Sequence, residues 1–205
     1  MENLLEKIIS LSKRRGFIFQ SSEIYGGISG MWDYGPLGVE LKNNIKHEFW
    51  KNIVWDRENI CGIDAAIFMN PRVWEASGHI KSFTDPLIEC KICHNRFRAD
   101  QKDIVIEHEN YHKNKGEKTS WTDPKNFNLL VEAYLGTIEG EKNKVYLRGE
   151  ITQGVHVNFL NILKTTGMSL PFGVAQIGKA FRNEITPSNF TFRSREFEQM
   201  ELQYY

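Results

Sequence analysis

The sequence predicts a fold that mixes helices with antiparallel strands, the α+β class, and three observations carry that expectation. Apolar residues recur at helical spacing near the N-terminus, and again at four-residue steps over residues 37–54. Two strand-like runs near the C-terminus flank a turn signal, TPSN at 186–189. Between these ends the composition turns polar and rich in Lys and His over 90–122, as a small insertion or subdomain would.

Leu4, Leu5, Ile8, Ile9 and Leu11 share one helical stripe, and Gly16 is a natural stop. The run FIFQSSEIYGGISGMWDYGPLG is rich in Gly and aromatics and reads as short strand and loop. Pro36 suits a first helical turn. Leu37, Leu41, Ile45, Phe49 and Ile53 then give a long helix over 37–54, with Trp50 and Val54 on its apolar face. Such a face ordinarily packs on the chain's own core. Residues 60–89 alternate in character, with breaks at Pro71 and Pro86. After the polar segment, FNLLVEAYLGTIEG is apolar again, and VYLRGEITQGVHVNFLNILKTTG reads as a strand turning into a helix striped by Val155, Phe159, Ile162 and Leu163. Tyr25, Trp32 and Trp74 read as packing residues.

Composition excludes some partners. Of 205 residues, 26 are basic and 26 acidic, so binding to nucleic acid or membrane has to come from a local patch. No run of about eighteen apolar residues exists, so no transmembrane helix is expected. The N-terminus lacks the basic start and apolar core of a signal peptide. Three cysteines, Cys61, Cys90 and Cys93, do not make a disulfide framework, which points to a reducing cytoplasm.

FRNEITPSNFTFRSREFEQME, residues 181–201, is the chemically dense stretch. Read as a β-hairpin, it puts Arg182 and Glu184 on one face of the first strand. On the second strand Arg193, Arg195, Phe197, Gln199 and Glu201 share a face, with Ser194, Glu196, Glu198, Met200 and Leu202 opposite. Guanidinium forks suit phosphate oxygens, a phenyl ring can stack on a base, and a carboxylate can hold an ammonium. The same spacing also describes a solvated hairpin laced with cross-strand ion pairs, each worth about 0.2–1 kcal/mol. Spacing alone leaves both open.

FRNE followed by FRSREFEQME closely resembles motif 2 of the class II aminoacyl-tRNA synthetases, in the form found in glycyl-tRNA synthetases of the homodimeric type. GISGMWDYGPLGVELKNNIKHEFW resembles that family's motif 1, and ASGHIKSFTDP, FRAD, WTDPKNFNLL and LRGEITQG resemble further segments in the same order. The resemblance covers nearly the whole chain. It implies a class II catalytic core, a mainly antiparallel sheet flanked by helices. Residues 1–89 would be the first part with motif 1, 90–122 a small insertion, and 123–205 the second part with motif 2. It further implies activation of glycine by ATP, with Mg²⁺, and transfer to tRNA(Gly), in a cytoplasmic homodimer paired through the motif 1 helix.

By the same resemblance Arg182, Glu184 and Arg193 would serve catalysis. ATP would meet Arg182, Asn183, Glu184, Phe192, Arg193, Ser194, Arg195, Glu196 and Phe197. Glycine would meet Arg98, Glu150, Phe197, Glu198, Gln199, Met200 and Glu201. The chain departs from the pattern in three ways. Motif 3 and the anticodon-binding domain are absent and the chain ends on QYY inside a strand, which implies the N-terminal portion of a longer synthetase. A non-catalytic protein on the same scaffold, binding nucleotide, acceptor end or a partner chain, is the alternative; neutral net charge disfavours tight tRNA binding by these residues alone. LRGEITQG carries Ile151 and Thr152 where the family usually has Thr and Ala.

The third departure concerns metal. Cys90-x-x-Cys93 could be half of a zinc site. The second cysteine pair that completes it in some family members is replaced here by HKNKGEKTSW. His108 and His112, at H-x₃-H spacing, could substitute, but loose CxxC pairs are weak signals, so two reduced structural cysteines are the preferred reading and no metal is assigned.

Overall fold

A computed structural model describes residues 4–136, 143–187 and 189–205. The N-terminal stripe forms α1 (Leu4–Arg14), which stops at Gly16, φ +71°. A short ribbon pairs β1 (Ile18–Gln20) with β2 (Trp32–Tyr34), Ile18 facing Tyr34. Pro36 then opens α2 (Pro36–Trp50), which continues as a wider π-type turn over Lys51–Trp55. A Cβ on Gly38 would lie 1.9 Å from the Phe17 carbonyl oxygen, so only glycine lets α2 lie on this backbone.

The chain continues through β3 (Ile60–Ile63), β4 (Phe68–Met69), α3 (Pro71–Ala76), α4 (His79–Ser82), β5 (Thr84–Glu89), β6 (Arg96–Arg98) and α5 (Lys102–Asn114). Then come β7 (Lys125–Asn128), β8 (Val131–Leu135), β9 (Asn143–Leu147), α6 (Thr152–Val157), α7 (Phe159–Thr166), β10 (Gly173–Phe181) and β11 (Glu196–Tyr204). Asn70 caps α3, its side-chain oxygen accepting from the Arg72 N–H at 3.0 Å.

Besides that ribbon, the described residues form three three-stranded sheets. β10 pairs antiparallel with β11, from Gly173–Tyr204 to Phe181–Glu196, and parallel with β3. β9 lies between β4 and β8, and β5 between β6 and β7, all antiparallel. This is a mixed α+β fold. The 90–122 segment is the β6–α5 excursion between β5 and β7, closed by a bridge from Cys90 to Trp121. Among the described residues no helix is long and apolar enough to cross a membrane.

Two apolar clusters hold the layers. α6 and α7 cover the β10 sheet through Val155, Ile162, Phe172 and Val174, with Phe159, Leu163 and Tyr205 at the margin. Trp74, Leu130 and Tyr146 join α3 to the β9 sheet, with Ile80 and Phe83 against them. Each such side chain, fully buried, contributes about 1.5–3 kcal/mol.

Several sequence expectations need correcting. The helix expected after LRGE is two helices, because Asn158 leaves helical geometry (φ −97°, ψ 1°) and its side-chain amide bonds the Gly154 carbonyl. The apolar face of α2 does not bury: Leu37, Leu41 and Ile45 are half exposed, and only its C-terminal end meets β3, where Trp50 lies on Gly62. Trp74 is fully buried, but Tyr25 is 86% exposed and packs nothing away from water. The turn signal TPSN includes Ser188, which lies outside the described residues.

Candidate active site

The dense stretch is a hairpin whose arginines sit in the loop rather than on the strands. β10 ends at Phe181 and β11 begins at Glu196, so Arg182, Glu184, Arg193 and Arg195 all belong to the connection. Within that connection Asn189 and Phe190 both take positive φ, 54° and 59°, and a short 3₁₀ turn spans Phe190–Phe192. The two-residue alternation therefore holds only from Glu196 onward.

The Arg182 guanidinium carbon lies 5.2 Å from the Phe83 ring centroid and 5.3 Å from that of Phe197. Its Nε donates to the Gly149 carbonyl at 3.1 Å. Among the described residues neither terminal nitrogen of Arg182 has a hydrogen-bond partner, so both are available to an anion. Arg193 Nε donates to Glu184 Oε2 at 2.8 Å, and Glu184 is buried. Arg195 grips backbone instead: Nε and a terminal nitrogen donate to the Glu184 carbonyl at 3.2 and 3.1 Å, and the other terminal nitrogen to Ser29 at 2.9 Å. It is a staple for the loop.

A line of alternating charge leads away from this loop. Arg98 on β6 lies 2.9 Å from Asp85 Oδ2, and Arg193 lies 4.0 Å from the same oxygen. Burial pushes the Asp85 carboxyl above the ordinary aspartate range, with Arg98 and Arg193 pulling it back and Glu184 and Asp100 pushing it further. Arg98 also forks onto Asp100, and that hydrogen bond raises its pKa against the effect of burial.

The other end of the site is carboxylate. Glu201 Oε2 accepts from the Thr152 hydroxyl at 2.5 Å, and Gln203 lies at 3.4 Å. Glu150 Oε1 accepts from Gln153 at 2.6 Å and lies 3.3 Å from His79 Nε2. The turn from Gly149 to Thr152 therefore touches Arg182 at one end and Glu201 at the other. Gln176 faces Glu201 in the β10–β11 register, is fully buried, and among the described residues has no hydrogen-bond partner for either side-chain polar atom.

Arg182, Glu184, Arg193, Ser194, Phe197 and Glu198, with Thr191 and Phe192, line a cleft of about 370 Å³. Phe192 stands 83% exposed at its mouth, and Asn183 is exposed, its backbone N–H donating to the Leu129 carbonyl at 2.8 Å. Ser194 is buried and bonds the Glu196 carbonyl at 3.1 Å. By strand alternation three expected contacts, Glu196, Glu198 and Met200, turn to the other face of β11, although Glu198 also borders the cleft. Glu196 pairs with Lys179, Glu198 pairs with Lys42 (3.0 Å) and Lys46 of α2, and Met200 shares that side with Glu198. Gln199 follows the Phe197–Glu201 side. A larger hollow, about 420 Å³, lies on the Glu198 side against Phe17, Tyr34 and Leu41.

Sequence reasoning missed four residues that shape this site. Asp85 and His79 sit in the quoted run ASGHIKSFTDP without a local pattern to mark them. Gln176 carried a signal, a lone amide inside the apolar run FGVAQIG. Arg148 is 2% exposed and ties β9 to β10, its Nε donating to Lys179 O at 2.6 Å and a terminal nitrogen to Ala65 O at 2.7 Å. Outside the cleft, Cys90, Cys93, His108 and His112 bring their donor atoms within 4.8 Å of one another.

No family model matches the chain. Among curated proteins it is 53% identical over 201 residues to the glycine–tRNA ligase of Borreliella burgdorferi (strain ZS7), covering 98% of this chain and 44% of that protein. The glycine–tRNA ligase of Treponema denticola is 53% identical over 206 residues (98% and 44%), and that of Alkaliphilus oremlandii 49% over 227 residues (100% and 49%). Among solved structures, the RNA binding domain of threonyl-tRNA synthetase from Cryptosporidium parvum Iowa II superposes with TM-score 0.56 at 18% identity, covering 95% of this chain and 36% of that one. Over nearly its whole length the chain is similar to proteins of the aminoacyl-tRNA synthetase class. Its relatives there are the glycine–tRNA ligases, and it spans about half the length of the curated relatives it matches.

Proposed function

We propose that this chain is the part of a glycine–tRNA ligase that binds ATP and glycine and joins them as glycyl-adenylate, for later transfer to tRNA(Gly). In that reaction a glycine carboxylate oxygen attacks the α-phosphorus and pyrophosphate leaves; Mg²⁺ would accompany ATP and offset phosphate charge. No enzyme nucleophile is needed, so the protein contributes position and charge. The free nitrogens of Arg182 would meet the α-phosphate oxygens as negative charge builds there. Phe197 would offer its ring to adenine or to the Arg182 plane. Glu184 would aim Arg193 at phosphate, since its carboxylate is already engaged by that side chain. Glu201 and Glu150 would hold the glycine ammonium, and Arg98 would stand at the substrate edge through Asp85. Glu198 and Met200, turned toward α2, would support the strand from behind.

The observation that carries this reading is the Gly149–Thr152 turn. It bonds Arg182 and Glu201 at once, and so sets a phosphate-binding cation and an ammonium-binding anion at a fixed spacing. The fold would be a class II catalytic core, with residues 1–89 and 123–205 as its two parts around a 90–122 insertion. The half-exposed Leu37, Leu41 and Ile45 on α2 would pair with a second copy in a cytoplasmic homodimer.

Calorimetric titration with a non-hydrolysable glycyl-adenylate analogue tests the reading directly. The chain should bind it, and Arg182→Ala and Glu201→Gln should each weaken binding about 10- to 100-fold, the loss of one charge-assisted hydrogen bond. Glycine-dependent ATP–pyrophosphate exchange should fall further in Arg182→Ala, by about 10²–10³. Absence of binding by the folded chain, or binding indifferent to both substitutions, would overturn it and leave a non-catalytic scaffold.

A further inference from the structure

We propose that Cys90, Cys93, His108 and His112 form a structural zinc site that pins the β5–β6 turn to α5. The proposal stands apart from the ligase reading, because it concerns metal content and not activity.

The backbone builds the site from two short pieces. At the end of β5 the chain turns back on itself: the Cys90 N–H donates to Asn95 O at 2.9 Å and the His94 N–H to Cys90 O at 2.9 Å, with His94 at φ 58°. That turn brings the two thiols, three residues apart, to one side. On α5 the imidazoles are four residues apart and so share a helix face. The Cys90–Trp121 bridge closes the unit from the far side.

The distances fit a tetrahedral ion. Zinc bonds of about 2.3 Å to sulfur and about 2.0–2.1 Å to nitrogen imply tetrahedral edges of about 3.3–3.4 Å between nitrogens and about 3.5–3.6 Å between nitrogen and sulfur. His108 Nε2 and His112 Nε2 lie 3.2 Å apart. Cys90 Sγ lies 3.7 Å from His112 Nε2, and Cys93 Sγ 3.4 Å from His108 Nε2. These three separations lie close to the tetrahedral ones, and all four donor atoms fall within 4.8 Å of one another.

The surroundings are those of a metal site. Cys90 is fully buried and His112 is 2% exposed, so two ligand atoms are withdrawn from water. His112 Nδ1 faces the Glu117 carboxylate at 2.5 Å, which fixes the ring and turns Nε2 toward the thiols. Phe97 and Trp121 pack against the His108 ring. Two thiolates and two imidazoles in tetrahedral array select zinc over the hard cations, and a fully ligated ion keeps no position open for substrate. Its role is mechanical. β5 carries Asp85 and β6 carries Arg98, so the ion would hold the Arg98–Asp85–Arg193 line in place.

Elemental analysis of the chain, purified without chelator or a histidine tag after growth with added zinc, should give about one zinc per chain. The exposed ligand and its partner offer a variant that spares the buried core: Cys93→Ser with His108→Gln should lose most of that zinc while circular dichroism still reports a fold. Replacement by Co(II) should give the intense visible bands of a tetrahedral thiolate site. Should the variant fail to fold, the unaltered chain still decides: its thiols should resist a disulfide reagent until a chelator is added. A folded chain with less than about a tenth of a zinc, thiols that react equally with and without chelator, or zinc retained in the double variant would each overturn the proposal.

Discussion

Arg148→Met takes two donors from a buried side chain while keeping much of its volume. The guanidinium lies flat across Gly178, where a Cβ would come within 2.2 Å of a terminal nitrogen, and it reaches the carbonyls of Lys179 and Ala65 at 2.6 and 2.7 Å. Burial lowers its pKa, with Asp64 opposing, but from so high a value that it stays charged at neutral pH. Two effects then compete on substitution. Leaving the two part-buried carbonyls without this partner costs at most about 1–3 kcal/mol each, or about 2–6 in all. Relieving a buried charge that has no carboxylate at ion-pair distance among the described residues returns part of this, and replacing buried ionic groups by apolar ones can gain about 1–4 kcal/mol. Because the two bonds tie the end of β9 to β10 and to the β3–β4 connection, the unpaired groups should win, with a net loss of about 2–3 kcal/mol. For a domain of this size that lowers the unfolding midpoint by about 4–12 °C. Thermal unfolding followed by circular dichroism measures it, and Arg148→Lys, which can reach one carbonyl, should fall between. A methionine variant as stable as the parent, or more stable, would show that desolvation dominates and that Arg148 is not the staple its contacts suggest.

Glu198 offers a pH test. Burial raises its pKa, but the hydrogen bonds from Lys46 and Lys42 together lower it further, so the net shift is downward. A depressed carboxylate adds stability above its unfolded value, about 4.3, and that stability is lost as pH falls through the folded value. The stability gap between the parent and Glu198→Gln should thus narrow below about pH 4.3; a urea-unfolding gap independent of pH would refute the pairing. Gly38→Ala should cost about 1–3 kcal/mol, since its Cβ lands on the Phe17 carbonyl, which cannot swing aside. Thr152→Val removes the 2.5 Å donor to Glu201 and should weaken glycine about 10-fold while sparing ATP, read by separate titrations of the two ligands.

What could be read in the sequence was what repeats locally. α1 and α2 declare themselves by apolar spacing and Pro36, and the hairpin by its turn residues. The alternation on β11 correctly separates Glu198 and Met200 from Gln199 and Glu201, and this is why assigning all four to one ligand conflicts with the strand itself. Extending the alternation back to Arg193 failed, because the paired ladder ends at Phe181–Glu196 and the arginines lie in the connection beyond it. A two-residue period has no way to announce where it stops.

The site depends on contacts that no local period contains. Arg182 meets Gly149 across 33 residues, Thr152 meets Glu201 across 49, and Arg148 meets Ala65 across 83. Each joins the stretch after β9 to a different part of the chain, the connection after β10, β11 itself, and the link between β3 and β4, so LRGEIT acts as a hub and not as a terminus of β9. That explains why Thr152 matters where the resemblance marked it only as a departure. A hydroxyl there gives Glu201 a donor within the chain, which fixes the carboxylate before any ligand arrives. An alanine at this position could not do so. A ligand ammonium would then find an acceptor already oriented, with less rotamer entropy left to lose on binding.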